Sequence, residues 1–254
     1  MREQAGPGRT LRVLTVNVHK GFTIFNRRFI LHELRDAIRT TAPDVIFLQE
    51  VLGEHHRHAA RLHGWPTASH YEFLADTVWS DFAYGRNAVY PAGHHGNAIL
   101  SKFPIATYQN HDVSINRHEA RGILHCVLEA PNSDLRMHAV CVHLGLRETH
   151  RRHQLQRLCE LVRSTIPAGE AVVVAGDFND WRLKASRHLN HCGLVDVFAS
   201  AHGRPIRTFP ARCPVLRLDR IYVSNVAGHR PVKMKRHPWA GLSDHLPLVA
   251  EIEI

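Results

Sequence analysis

No glycine-rich phosphate loop of the form G-x-G-x-x-G or G-x-x-x-x-G-K-[ST] occurs in the 254 residues. This removes the two common backbone cradles for nucleotides and the parallel dinucleotide-binding sheet that carries them. There is no His-Glu-x-x-His and no Cys-x-x-Cys, so zinc has no recognisable ligand set, and among 22 histidines close pairs arise by chance. No uncharged apolar run approaches the roughly 20 residues of a membrane span. Met1–Thr10 lacks the apolar segment of a secretory signal. Linkers, internal repeats and low-complexity tracts are missing as well. The expectation is a soluble, cytoplasmic protein with a loose leader at 1–10 and one domain at 11–254, large enough to bury a sizeable core. The five cysteines are odd in number, and buried reduced thiols are expected of them. Two of them, Cys126 and Cys141, fall on neighbouring strand candidates joined by a turn at Pro131–Asp134. Aromatic residues make up only 7%, so Trp79, Phe82, Tyr84 and Tyr90 read as core, with base stacking as their other use.

What the sequence does contain is a set of acidic, amide and imidazole residues at the ends of apolar runs. Asn17 follows Leu11–Val16, Glu50 follows Val45–Leu48, His143 follows Val140–Val142, and Asp177 and Asn179 follow Val172–Gly176. Asp219 precedes Ile221–Val223, and Asp244-His245 precedes the run from Leu248. Rigid elements that point their ends into one crevice are what a catalytic rim needs. For these groups to meet, the last two strands must run opposite to the others, so mixed sheets with antiparallel pairs are expected.

Periodicity supplies the elements. Strand patterns occur at Leu11–Val18, Val45–Leu48, Ala98–Leu100, Gly122–Glu129, Leu135–Val142, Ala171–Val174, Leu218–Val223 and Leu248–Ile254. Helical patterns occur at Arg27–Thr40 and Arg147–Ile166. In the second, Leu155, Leu158, Cys159 and Val162 share the apolar face, and Arg151, Arg152, Arg157 and Arg163 take polar positions. Pattern alone gives an α/β or α+β protein.

Oxygen and amide donors without cysteine suit Mg²⁺ or Mn²⁺, which is held by one or two carboxylates, waters and substrate oxygens. The same groups suit phosphoryl transfer, where catalysis is mostly positioning and charge stabilisation. A carboxylate such as Asp177 orients or deprotonates the attacking water. Asn179, two residues on, would share its face in an extended strand, with a turn at Gly176 aiming both. Taken singly, each residue has a plain reading. Glu50 is then a solvated rim carboxylate, Asn17 and Asn179 are turn residues, His143 is a packed histidine and Asp219-Arg220 a surface ion pair.

Together, the runs Leu14–Val18, Leu48–Val51, Gly96–Ser101, Val142–Leu144, Ala175–Asn179, Leu218–Ile221 and Ser243–His245 resemble the endonuclease/exonuclease/phosphatase superfamily. They follow that family's order across almost the whole chain. The resemblance implies a four-layer α/β sandwich, two mixed β-sheets face to face with helices on the outer faces. It also implies a metal-dependent phosphodiesterase, with Glu50 as the main ligand of Mg²⁺ or Mn²⁺, Asn17 beside it and Asp244 reaching the same ion or a second. His245 would contact the scissile phosphate, oriented by Asp219 through its other ring nitrogen. Asp177 would handle the water, and Asn179 and His143 would donate to the developing phosphorane oxygens. Whether Asp177 or His245 is the general base stays open. The chain departs from the inositol-phosphatase and abasic-site endonuclease patterns at Arg217-Leu218-Asp219-Arg220 and Val18-His19-Lys20-Gly21-Phe22, and is most similar to small bacterial members.

A formal charge of +9 draws polyanions, nucleic acid and anionic phospholipid head groups alike, although a solvated arginine-rich surface carries the same charge. His55, His56, Arg57, His58, Arg61 and His63 form a basic cluster that reads either as groove wall or as solvated surface. Asn97, after His94-His95-Gly96, and Arg121, at the opening of the next long strand, are expected substrate contacts, the guanidinium suiting phosphate. The expected activity is hydrolysis of phosphodiester bonds in DNA or RNA. A phospholipid-directed phosphodiesterase or phosphatase is the alternative, and the complete residue set argues against a non-catalytic binder with the same fold.

Overall fold

The computed structural model describes residues 9–129 and 136–254; the expected turn at Pro131–Asp134 and residues 1–8 of the expected leader lie outside the described residues. Strands are β1 (Thr10–Asn17), β2 (Val45–His55), β3 (Asp81–Tyr90), β4 (Gly93–Ser101), β5 (Ile105–Asp112), β6 (Gly122–Glu129), β7 (Arg136–His143), β8 (Ala171–Asp177), β9 (Val195–Asp196), β10 (Asp219–Ser224), β11 (Gly228–Val232) and β12 (Leu248–Glu253). Helices are α1 (Leu31–Thr41), α2 (His56–Ala59), α3 (His70–Ala75), α4 (Glu148–Thr165), α5 (Ala185–Asn190) and α6 (Val197–His202). One sheet has the order β11-β12-β1-β2-β4-β3 and the other β5-β6-β7-β8-β10-β9. A single parallel pair, β1–β2 or β7–β8, lies inside each sheet, and all other pairings are antiparallel.

Side chains alternate across each interior strand, and both faces are covered. Val13, Val45, Phe47 and Ile99 meet Ala139, Cys141, Val173 and Ile221 between the sheets. Their neighbours Leu14, Ile46, Leu48 and Leu100 pack outward against Leu34 and Ile38 of α1 and Leu74 of α3. Val140, Val142, Val172 and Val174 pack against Leu155 and Leu158 of α4 and Leu189 of α5. The result is the expected four layers, and it explains why these strands read as unbroken apolar runs: a strand buried on both faces has no polar side. Each such side chain contributes about 1.5–3 kcal/mol on burial.

Several expectations are corrected. Arg9 and Thr10 belong to the sheet, not to a loose leader: Thr10 pairs with Glu253, and Arg9 exchanges backbone hydrogen bonds with Ile254 at 3.0 and 3.1 Å. The first helix begins at Leu31, because the segment before it is tied back by a Phe22–Phe29 bridge; it ends where Ala42 turns left-handed ahead of Pro43. Arg151, assigned to the polar face of α4, is 2% exposed, and its guanidinium bonds the Gly145 and Leu146 carbonyls and Glu148. Cys159 of α4 and Cys192 beyond α5 form a disulfide, so the thiols are not all reduced. Packing of α5 on α4 brings together residues 33 apart in sequence. Cys126 and Cys141 are free and buried. Trp79 is core, with its indole N–H donating to the Pro43 carbonyl at 3.0 Å, whereas Phe82 is 39% exposed on an edge strand.

Gly176 adopts φ +148° one residue before Asp177, and a Cβ there would lie 2.0 Å from the Val142 carbonyl oxygen of the adjacent strand. Gly176→Ala must therefore push β8 off β7 or strain its own backbone, and should cost more than about 2 kcal/mol. The expected result is a lower urea midpoint at unchanged slope; a wild-type midpoint would show that the strands part freely here.

Candidate active site

The parallel pairs end at the same rim. β1 delivers Asn17 and β2 delivers Glu50 from one sheet; β7 and β8 deliver His143 and Asp177, which are register partners, from the other. β10 runs the opposite way and begins at Asp219, directly across from Asp177. The Ser243–His245 turn enters ahead of β12, fastened by the Ser243 hydroxyl, which donates to the Asn17 carbonyl at 2.6 Å.

Asp177, Asp219 and His245 form the buried heart of the site. His245 Nδ1 is 2.9 Å from Asp219 Oδ2, and its Nε2 is 3.8 Å from Asp177 Oδ2. Burial opposes a charge on this imidazole, but the Asp219 and Asp177 carboxylates override it and raise its pKa to about 10. The ring is therefore an imidazolium at neutral pH. Burial likewise pushes Asp177 up; His245 pulls it down and Asp219 raises it further, leaving it at about 6. His143 Nε2 approaches the same Asp177 oxygen at 3.5 Å; burial, with Arg121 and His245 nearby, holds this ring neutral.

A second group of carboxylates stands closer to solvent. Glu50 occupies a bulge between the Leu48–Ala98 and Val51–Gly96 pairs and has φ +56°. The extra residue turns its side chain out of the sheet. Its carboxylate is 3.9 Å from Lys20 Nζ and 4.0 Å from His19 Nδ1, and His19 Nδ1 is also 3.4 Å from Asp244. Burial raises the Glu50 pKa, yet Lys20, His19, the Asn17 amide and His95 together bring it below the ordinary value, so it is ionised. Asn17 connects the two groups: its amide nitrogen donates to Glu50 at 3.4 Å and to Asp177 at 3.3 Å, and its oxygen accepts from the His19 backbone N–H at 3.0 Å.

The remaining expected residues sit around this centre. Asn179 does not continue the strand. It has φ +49°, its N–H caps Asp177 Oδ1 at 2.9 Å, and its side-chain amide donates to the Leu144 carbonyl. Arg121 lies at the rim, anchored to Leu144 O at 3.2 Å and Glu119 at 3.3 Å. Asn97, expected to contact substrate, is fully buried, and its amide donates to the Gly122 and Cys141 carbonyls, tying the sheets together beneath the site. Arg220, read as half of a surface ion pair, is 1% exposed and faces Asp196 at 3.3 Å and Asp180 at 3.9 Å. His19, Lys20 and Glu119 were not anticipated beside the site; the sequence signal for the first two was a polar pair before Gly21 at a strand end.

Two sets of donors are present for a cation. Asp177, Asp219 and His245 present atoms within 4.8 Å of one another. A protonated imidazole already engaged by Asp219 is a poor ligand, however, so this trio works better as a proton-holding chain. Glu50 and Asp244 are hard oxygen donors, 20% and 14% exposed, and they fit a magnesium-like ion.

Two mixed six-stranded sheets with these groups gathered at one rim define the DNase I-like class of fold. Residues 14–245 match the Endonuclease/Exonuclease/phosphatase family, and the chain belongs to that family. Its members are typically hydrolases acting on phosphate esters and generally use divalent metals. Escherichia coli (strain K12) YbhP, named an uncharacterised protein, is 57% identical over 246 residues, 96% of this chain and 97% of YbhP. An endonuclease/exonuclease/phosphatase from Beutenbergia cavernae DSM 12333 superposes with a TM-score of 0.74 at 18% identity, covering 97% of this chain and 72% of that one. Truncated TDP2 from Caenorhabditis elegans gives 0.68 at 18% identity, covering 96% and 98%. At this identity the likeness is one of fold.

Arg220 follows Asp219 in β10, and its guanidinium neutralises two buried carboxylates behind the site. Arg220→Met should strand Asp196 and Asp180 and cost about 3–5 kcal/mol in urea unfolding. A loss below about 1 kcal/mol would mean that the carboxylates rehydrate without it.

Proposed function

We propose that this protein is a divalent-metal-dependent phosphodiesterase that hydrolyses its substrate by in-line attack of water, with nucleic acid as the substrate. The observation that carries the reading is the Asp219–His245–Asp177 chain facing an ionised Glu50 across Asn17. It sets a charged acid, a carboxylate able to accept a proton near neutral pH, and a hard-oxygen cation site beside one another.

In this reading Asp177 is the general base. It takes a proton from water as the water oxygen bonds to phosphorus and the bond to the leaving oxygen breaks. A carboxylate with pKa near 6 is well matched to that transfer at neutral pH. His245, already protonated, donates to a phosphoryl oxygen, and Asp219 keeps its Nδ1 side engaged so that Nε2 faces the reaction. Neutral His143 is a second donor. Asn179 acts through its backbone on the Asp177 carboxylate, and Asn17 spaces Asp177 from Glu50. Glu50 and Asp244 would hold Mg²⁺ or Mn²⁺, which when bound supplies charge stabilisation for the phosphoryl oxygens. Arg121 and Lys20 add positive charge at the rim, and the excess of +9 supports a polyanionic substrate.

Turnover of bis-p-nitrophenyl phosphate should require Mg²⁺ or Mn²⁺ and stop in excess EDTA. Glu50→Ala should abolish it with little change in thermal unfolding; full activity in either case would overturn the metal reading. His245→Ala and Asp177→Asn should each lower kcat by at least about 100-fold, and the double variant should lose far less than the product. Multiplicative losses would show two independent groups. Turnover of single-stranded DNA, abasic duplex, RNA and mixed phospholipid vesicles, with Asp177→Asn as control, decides the substrate. Hydrolysis confined to vesicles would replace nucleic acid with a lipid head group.

A further inference from the structure

Away from the catalytic rim, a groove of about 640 Å³ lies between α6, edge strand β11 and the start of β12. That is within the range of about 300–1,000 Å³ typical of small-molecule sites. Its floor is apolar, built from Ile206, Val232, Met234 and Leu246. Its edge carries His202, Arg207, Lys233, Lys235 and Arg236, and no carboxylate lines it. Among the described residues none of these five makes an ion pair; Arg236 donates instead to the Ala211 and Arg212 carbonyls. Basic groups crowded around an apolar trough repel one another and complement an anion. Among the lining residues Phe198, the one phenyl, tyrosyl or indolyl side chain, is 3% exposed, so no large aromatic platform faces the groove.

We propose that this groove binds one molecule of an anionic amphiphile, a single alkyl or acyl chain ending in a negatively charged head. The chain lies on the floor of Ile206, Val232, Met234 and Leu246, and the head meets Lys233, Lys235 and Arg207. The groove adjoins the catalytic residues without containing them: Leu246 follows His245, and the Thr208 hydroxyl accepts the Asp219 backbone N–H at 3.4 Å. Such a ligand does not depend on which phosphodiester is hydrolysed.

The test is calorimetric titration of the full chain with decyl phosphate kept below its micelle concentration. One molecule should bind per protein. Affinity should rise roughly fourfold per methylene from octyl to decyl phosphate, as expected when a chain leaves water. Lys233→Glu/Lys235→Glu should weaken binding at least tenfold while bis-p-nitrophenyl phosphate turnover stays at the wild-type level. Ile206→Trp, at a position 41% exposed, should fill the trough and block the chain. The Glu50→Ala protein should bind as the wild type does. Equal binding of decyltrimethylammonium, affinity insensitive to chain length, or wild-type affinity in both groove variants would overturn the proposal. So would loss of binding in Glu50→Ala alone, since the ligand would then sit in the catalytic site.

Discussion

Asp177 and Asp219 face each other directly across an antiparallel pair, both out of water. Two carboxylates so placed repel strongly, and an isolated pair would be forced to take up a proton. The His245 imidazolium removes that conflict. It comes from the other sheet, because the turn that carries it leads into β12, beside β1. Asn17 crosses the same divide to reach Asp177. Chemistry and sheet packing are therefore not separable at this rim: the groups proposed to act on phosphate are also polar fasteners between two apolar faces. Gln49 and Asn97 extend the arrangement downward, with Gln49 reaching Thr15 and Cys141 and Asn97 reaching Gly122 and Cys141.

How much of this was legible in the sequence depended on burial. All eight strands anticipated from hydropathy exist, and they are the interior strands of the two sheets. The four that went unseen, β3, β5, β9 and β11, are the four sheet edges. An edge strand is covered incompletely, so Tyr108, Gln109 and Asn110 in β5 or Arg86 and Asn87 in β3 leave no clear alternation. The candidate site residues stood out for the opposite reason: each flanks an interior apolar run, where a polar side chain interrupts the pattern. The backbone turns that aim some of them were not readable: Glu50 in its bulge, Asn179 and, beside them, His19 all have positive φ, a local path that hydropathy does not encode. The Arg220 network was hidden similarly, since Asp180 lies beyond β8 whereas Asp196 ends β9, where it also caps α6.

Family membership and fold establish less about substrate than about architecture. What the distant structures share with this chain is the fold. Around the candidate site the connections bring further charge, in the His19–Lys20 turn against Glu50 and the Glu119 bracket around Arg121. Connections of this kind run over the surface, where changes disturb little packing.

The two pairs of sheet edges are finished differently. On one side β3 meets β5 of the opposite sheet, and Asn110 bonds Asn87 across the seam, over Gly85 where any side chain would collide with it. On the other side α6 is wedged between β11 and the β9–β10 edge. The sandwich is thus bound like a book, with a closed spine at β3–β5 and a fore-edge held apart by one short helix. Because Val197 and Phe198 of α6 are themselves buried in the core between the sheets, this spacer cannot leave the fore-edge without opening the core.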